Sequence, residues 1–194
     1  MAPTTDELLA SLPETFRYSE ALDRISERQL RRLIDEGGVI ALSRGVYRKR
    51  DWLGDEDLIA IAAKAPQATL CLRSALAHHE LIDDIPAEID IALPRGSWTP
   101  HMTAPVRWRH FDPDTFAVGR GLLHIEGARN IGIYSAERSI IDAFRMRHLE
   151  GADLATEALK RWLRRSGQPS ELLGLARSFP RTQTILRETM EILL

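Results

Sequence analysis

Near the start of the chain, apolar residues follow helical spacing and then switch to strand spacing. Leu8, Leu9 and Leu12 share one face of a predicted helix that Thr5, Asp6 and Glu7 would start and Pro13 would stop. Phe16 and Tyr18 lead to Ser19, the expected cap of a short second helix over residues 20–24 with Ala21 and Leu22 turned inward. Ser26 followed by Gln29 reads as a capping box, and Leu30, Leu33 and Ile34 form the apolar stripe of a third helix. Gly37 and Gly38 end that helix, since glycine accepts the left-handed conformation of a helix terminus. Val39, Ile40 and Leu42, then Val46 and Tyr47, flank Ser43, Arg44 and Gly45, which is the pattern of a β-hairpin.

After a short link at residues 52–54, Asp55 caps a helix carrying Leu58, Ile59, Ile61 and Ala62, and residues 70–81 read as another. Strands are expected over residues 89–93, 106–111, 122–125 and 130–134, each bounded by proline, glycine or charged turns. The period then turns helical again. Ser135 caps one helix, Gly151 or Asp153 precedes the next, a third begins near Pro169 or Ser170, and the last starts near Thr182. Strands grouped between helices without βαβ alternation predict an α+β chain with a mainly antiparallel sheet and C-terminal helices. The division predicted is a head over residues 1–52 and a mixed α+β domain over residues 53–194.

Charge sharpens the reading of the head. Basic residues outnumber Glu27, Asp35 and Glu36 between Ser26 and Arg50, while the first helix is acidic. Helix, helix, capped helix, glycine stop and basic hairpin is the order of a winged helix-turn-helix. Such a helix presents its N-terminal half to base edges, and arginine pairs bidentately with guanine. Ser26, Arg28, Gln29, Arg31 and Arg32 are therefore candidates for groove contact, although capping engages Gln29. Arg44 at the hairpin tip and Arg48, Lys49 and Arg50 at its exit are candidates for phosphate or minor-groove contact. The plainer alternative is a solvated, arginine-rich helix beside a hairpin without a ligand.

Composition narrows the class without naming a task. The chain has 194 residues, 44% hydrophobic and 28% charged, with a formal net charge of -2, which suits a folded protein with a local basic patch rather than one that coats nucleic acid. The single cysteine, Cys71, lies in an apolar run and fits a reducing compartment. No segment has the run of about 20 apolar residues that spans a bilayer, and the first residues lack a secretory pattern. A cytoplasmic protein without membrane contact is expected.

The second domain shows no catalytic constellation. Adjacent histidines His78 and His79 would point apart on a helix, and His101, His110, His124 and His148 lack metal-ligand spacing, so no metal is expected. Glu88 and Asp90 share a sheet face without the further carboxylate and lysine pattern of a nuclease strand, and the glycines at 119 and 121 lack the lysine of a phosphate loop. Neither a cofactor nor an enzymatic activity is expected. Arg95, Arg107, Arg109, Arg161, Arg164 and Arg165 read either as solvated charge or as a basic surface for RNA.

The segment YSEALDRISERQLRRLIDEGGVIALSRGVYRK resembles the N-terminal winged helix of the AbiEi antitoxins of bacterial abortive-infection systems. LRSALAHHELIDDIPAEIDIALPRG and IEGARNIGIYSAERSIIDAFR are similar to later segments of that family, with Ala136 where its proline usually stands before a glutamate and an arginine. The likeness runs over about residues 18–147 in order. It implies an antitoxin that represses its own operon by binding double-stranded promoter DNA with inverted repeats, and that counteracts a nucleotidyltransferase-like toxin without needing a stable complex; Arg95, Arg107, Arg109, Arg161, Arg164 and Arg165 would then be a candidate surface for that toxin or its nucleotide-bearing substrate. The alternatives are a stand-alone winged-helix regulator whose second domain senses a ligand or dimerises, and a nuclease.

Overall fold

The computed structural model describes residues 3–125 and 129–193. Residues 126–128, part of one segment of the family likeness, and residues 1, 2 and 194 lie outside them. The fold is α+β, about 48% helix and 20% strand. The chain divides into two compact units, Met1–Pro66 with Pro100–Ala104 and Leu123–Ile131, and Gln67–Thr99 with Pro105–Leu122 and Gly132–Leu194. The helix capped by Asp55 thus belongs to the first unit, beyond the division expected after residue 52.

In the first unit, α1 (Thr5–Ser11) is capped by Thr4 rather than Thr5: its hydroxyl accepts from the Glu7 amide at 3.3 Å, and the Glu7 carboxylate accepts from the Thr4 amide at 2.8 Å. Next come β1 (Thr15–Arg17) and α2 (Tyr18–Leu22). The α2 helix starts before Ser19, and the Glu20 carboxylate accepts the Arg17 amide at 2.7 Å in place of the expected serine cap. The box at α3 (Glu27–Asp35) forms as expected, with the Gln29 side chain accepting from the Ser26 amide at 2.8 Å. Gly37 closes α3 at φ +70°.

The hairpin is β2 (Val39–Ser43) and β3 (Val46–Lys49), with Gly45 at φ +76° in its turn. Strand β1 adds antiparallel to β3, giving the order β1-β3-β2. Leu8, Leu12, Phe16, Ile25, Leu30 and Leu33 interlock as one core, each buried side chain contributing about 1.5–3 kcal/mol. Asp55 caps α4 (Glu56–Lys64) by accepting from the Leu58 amide at 2.9 Å.

The second sheet runs β6-β5-β4-β8-β7 among the described residues. Its strands are β4 (Thr69–Leu70), β5 (Ile89–Pro94), β6 (Val106–Phe111), β7 (Arg120–Ile125) and β8 (Arg129–Tyr134). Antiparallel pairing joins β4 to β5, as it joins both pairs of the first unit's sheet, and two parallel pairs, β5 with β6 and β4 with β8, are added to it. The expected helix over residues 70–81 is shorter. Thr69 and Leu70 are drawn into the sheet by β5 and β8, and α5 spans Leu72–His78. The brief α6 (Pro113–Phe116) is an addition to the expected elements.

Five C-terminal helices follow among the described residues: α7 (Ala136–Arg145), α8 (Arg147–Glu150), α9 (Ala152–Arg164), α10 (Pro169–Ala176) and α11 (Pro180–Leu193). Ile140, Ile141, Phe144, Leu159, Leu172 and Leu186 lie in their shared core. Among the described residues no helix is long and apolar enough to cross a membrane. Cys71 is buried at the start of α5, where burial first and the Asp90 carboxylate next push its thiol well above the ordinary range.

Gly119 is placed by packing rather than by phosphate chemistry. It has φ +70°, and a Cβ there would stand 2.7 Å from that of Arg138. Gly119→Ala is expected to lose roughly 1–3 kcal/mol through backbone strain and overpacking, read from urea unfolding midpoints. An unchanged midpoint would refute that packing role.

Candidate nucleic-acid interface

Helix α3 sends Leu30 and Leu33 into the core and leaves Glu27, Arg28, Arg31 and Asp35 exposed. Arg28 has no ion-pair or hydrogen-bond partner among the described residues. Arg31 meets Glu27 at 2.6 Å, but the pair is open to water, with side-chain exposures of 75% and 52%, and so holds the guanidinium weakly. Arg32 lies 3.7 Å from Glu36 and 3.4 Å from the Pro3 carbonyl. Ser26 and Gln29 are engaged in the cap, so their first task is to start the helix.

The hollow along α3 has a volume of about 910 Å³ and sets Arg28, Arg31 and Arg32 against Glu27, Asp35 and Glu36. This face therefore has little net charge. It can offer directional donors to base edges, but a large electrostatic pull on phosphate has to come from elsewhere. Arg44 supplies one such charge: it is exposed at the hairpin tip without a partner among the described residues.

The hairpin exit is largely committed to structure. Arg48 pairs with Glu56 at 2.6 Å and donates to the Arg50 carbonyl at 2.8 Å, with 16% of its side chain exposed. Lys49 pairs with Glu14 at 3.1 Å, with 19% exposed. Arg50 is exposed, and its guanidinium lies over Gly37, where an added Cβ would collide with it. Only Arg50 of the three retains an exposed side chain for phosphate.

Tyr18 is an exposed aromatic beside α3 that the sequence did not single out as a candidate. It opens α2 with 37% exposure, and partial desolvation, then the Glu27 carboxylate, raise its phenol above the ordinary range. The phenol is hydrogen-bonded to the Glu27 carboxylate at the α3 N-terminus, so a phosphate oxygen would have to compete with that acid for it.

No family model and no curated protein sequence matches this chain.

In the second unit the six arginines singled out from sequence do not form one surface. Arg95 and Arg109 line one cavity, Arg161 a second and Arg107 a third. Arg161 and Asp83 make a two-pronged contact, Arg165 reaches Glu80 at 3.0 Å, and Arg107 is held by Glu88. Arg109 contacts Asp90 at 3.3 Å and also binds Glu150. Arg164 is exposed and makes no ion pair or side-chain hydrogen bond among the described residues, though its charge helps to hold the Glu157 carboxyl below its ordinary range after Lys160.

Glu88 and Asp90 are thereby tied to arginines. Burial raises the Asp90 carboxyl and Arg109 opposes that shift. Among the described residues no group of three or more His, Cys, Asp or Glu side chains is placed to hold a metal ion.

The buried centre of this unit is Arg138, the arginine of the YSAERS segment. Its Nε donates to Asp142 at 2.9 Å and its Nη1 to the Thr115 carbonyl at 2.7 Å and to the Val118 carbonyl. Its Cζ sits 4.2 Å from the Tyr134 ring centroid and 4.5 Å from that of Phe179. Burial pushes the Asp142 carboxyl up, while Arg138 and then Arg145 pull it down. This arginine is fully buried and ties α7 to the segment at residues 115–118, with its Nη2 left without a hydrogen-bond partner among the described residues.

Proposed function

We propose that the first unit is a winged helix-turn-helix that binds double-stranded promoter DNA. In this reading the chain is a cytoplasmic antitoxin that represses its own operon and counteracts a nucleotidyltransferase-like toxin. The observation that carries the DNA reading is the association of a capped α3, exposing unpaired Arg28, with a three-stranded β1-β3-β2 sheet whose hairpin exposes Arg44. Helix α3 would enter the major groove, with Arg28 and Arg31 toward base edges, while Arg44 and Arg50 would meet the backbone. The antitoxin part is supported by the resemblance of the SERQLRRLIDEG, IPAEIDIALPRG and YSAERSIIDAF segments. This role requires no catalysis by the chain itself.

Two measurements test the parts separately. A duplex containing inverted repeats from upstream of the chain's own gene is expected to bind in preference to a scrambled duplex, with affinity falling steeply as salt rises. Equal affinity for both duplexes would overturn specific repression. Co-expression with the neighbouring gene is expected to relieve that gene's toxicity, and failure to do so would leave a plain regulator. That second reading is favoured by a cation-lined cavity in the second unit, suited to a sensed ligand.

A further inference from the structure

A cleft of about 680 Å³ opens in the second unit beside β6, the α7–α8 junction and the first turn of α11. Arg95, Arg145, Arg147, His148 and Arg181 line it together with Trp108, and Asp112 is the one acid among the described lining residues. Part of this charge is compensated. Arg109, also in the wall, is held by Asp90 and Glu150, Arg145 meets Asp142 at 2.5 Å, and Arg95 lies 3.9 Å from Asp112.

The remainder is not compensated. Arg147 donates to the Phe144 carbonyl at 3.1 Å but has no carboxylate partner among the described residues, and Arg181 and His148 have no partner among them at all. Cations gathered from separate chain segments within walls that include Phe111 and Met146 focus a positive potential into a restricted volume. That volume falls in the range of about 300–1,000 Å³ typical of small-ligand sites. Two guanidinium groups without a carboxylate partner suit adjacent phosphates, and an indole in the same wall offers a stacking face to a flat ring.

We infer that this cleft binds a nucleoside polyphosphate, with its phosphates on Arg147 and Arg181 and its base against Trp108. The site is separate from the residues assigned to DNA. Isothermal titration of the full chain with ATP, with GTP and with inorganic tripolyphosphate tests it. One nucleotide is expected to bind saturably per chain, with affinity about tenfold or more weaker in Arg181→Glu and in Trp108→Leu. Arg187→Glu, an exposed change elsewhere on α11, is expected to leave it unaltered.

Tripolyphosphate is expected to bind more weakly than the nucleotide and to be insensitive to Trp108→Leu. Thermal unfolding of each variant separates loss of the site from loss of the fold, and Arg181→Glu, at an exposed position, serves if Trp108→Leu destabilises the protein. Absence of saturable binding of both nucleotides at about 1 mM, or equal affinity in Arg181→Glu, would overturn the assignment. Tripolyphosphate binding as tightly as ATP would remove the base subsite. Tight binding of a single-stranded RNA oligonucleotide in place of either nucleotide, lost in Arg181→Glu, would assign the cleft to nucleic acid instead.

Discussion

Arg138→Ala is expected to destabilise the protein by about 3–5 kcal/mol, the scale of breaking a buried ion pair by removing one partner. Both Arg138 and Asp142 side chains are fully buried, and truncation would take from the Val118 carbonyl its guanidinium donor and leave the Thr115 carbonyl with backbone donors alone, while emptying the space between Tyr134 and Phe179. Arg145, 2.5 Å from Asp142, would keep part of the charge compensated, which sets the lower end of the range. Urea unfolding followed by circular dichroism measures the loss. The double variant Arg138→Met, Asp142→Leu should recover much of it, because it removes both charges and refills the volume. A loss below about 1 kcal/mol for Arg138→Ala, the ordinary cost of a single mutation, would mean that the buried pair does not organise the domain.

Simultaneous replacement of Arg28, Arg31 and Arg44 by alanine is expected to weaken binding to the promoter duplex by about a hundredfold or more, because each good base or phosphate interaction carries a large share of the affinity. The slope of affinity against salt should also become shallower by about one unit for each phosphate left without its arginine. Arg31 is expected to contribute despite Glu27, since an exposed ion pair yields readily to a phosphate or a guanine. Arg48→Ala and Lys49→Ala are expected to change promoter affinity by less than about threefold, as these side chains are turned toward Glu56 and Glu14. Fluorescence anisotropy over a salt series distinguishes the two sets. Undiminished affinity in the triple variant would sink α3 and the hairpin tip as the DNA-reading surface.

Much of the local architecture was legible because its causes are local. Ser26 and Gln29 lie three residues apart and cap α3, Asp55 and Ser135 cap α4 and α7, and Gly45 supplies the positive φ of the hairpin turn. Where two neighbouring residues could each cap, the sequence was ambiguous. Thr4 rather than Thr5 starts α1, because Glu7 then stands at the third helical position to close the box. The DNA-facing candidates on α3 were legible as residue types, but the partners that occupy Arg48 and Lys49 were not.

By itself the sequence determined the helix caps, the hairpin turn, the apolar stripes and the α+β class, since each depends on residues a few positions apart. Only the tertiary structure decided the short strands Thr15–Arg17 and Thr69–Leu70, which exist through pairing with distant strands rather than through their own propensity. It also decided the parallel joining of β5 to β6, for which no crossover helix signals in the sequence. Finally, it sorted the arginines: distant acids neutralise Arg48, Arg107, Arg109 and Arg161, whereas Arg28, Arg44 and Arg181 have no ion partner among the described residues. A charge is set by residue type, but whether it is available to a ligand depends on which carboxylate the fold brings within reach.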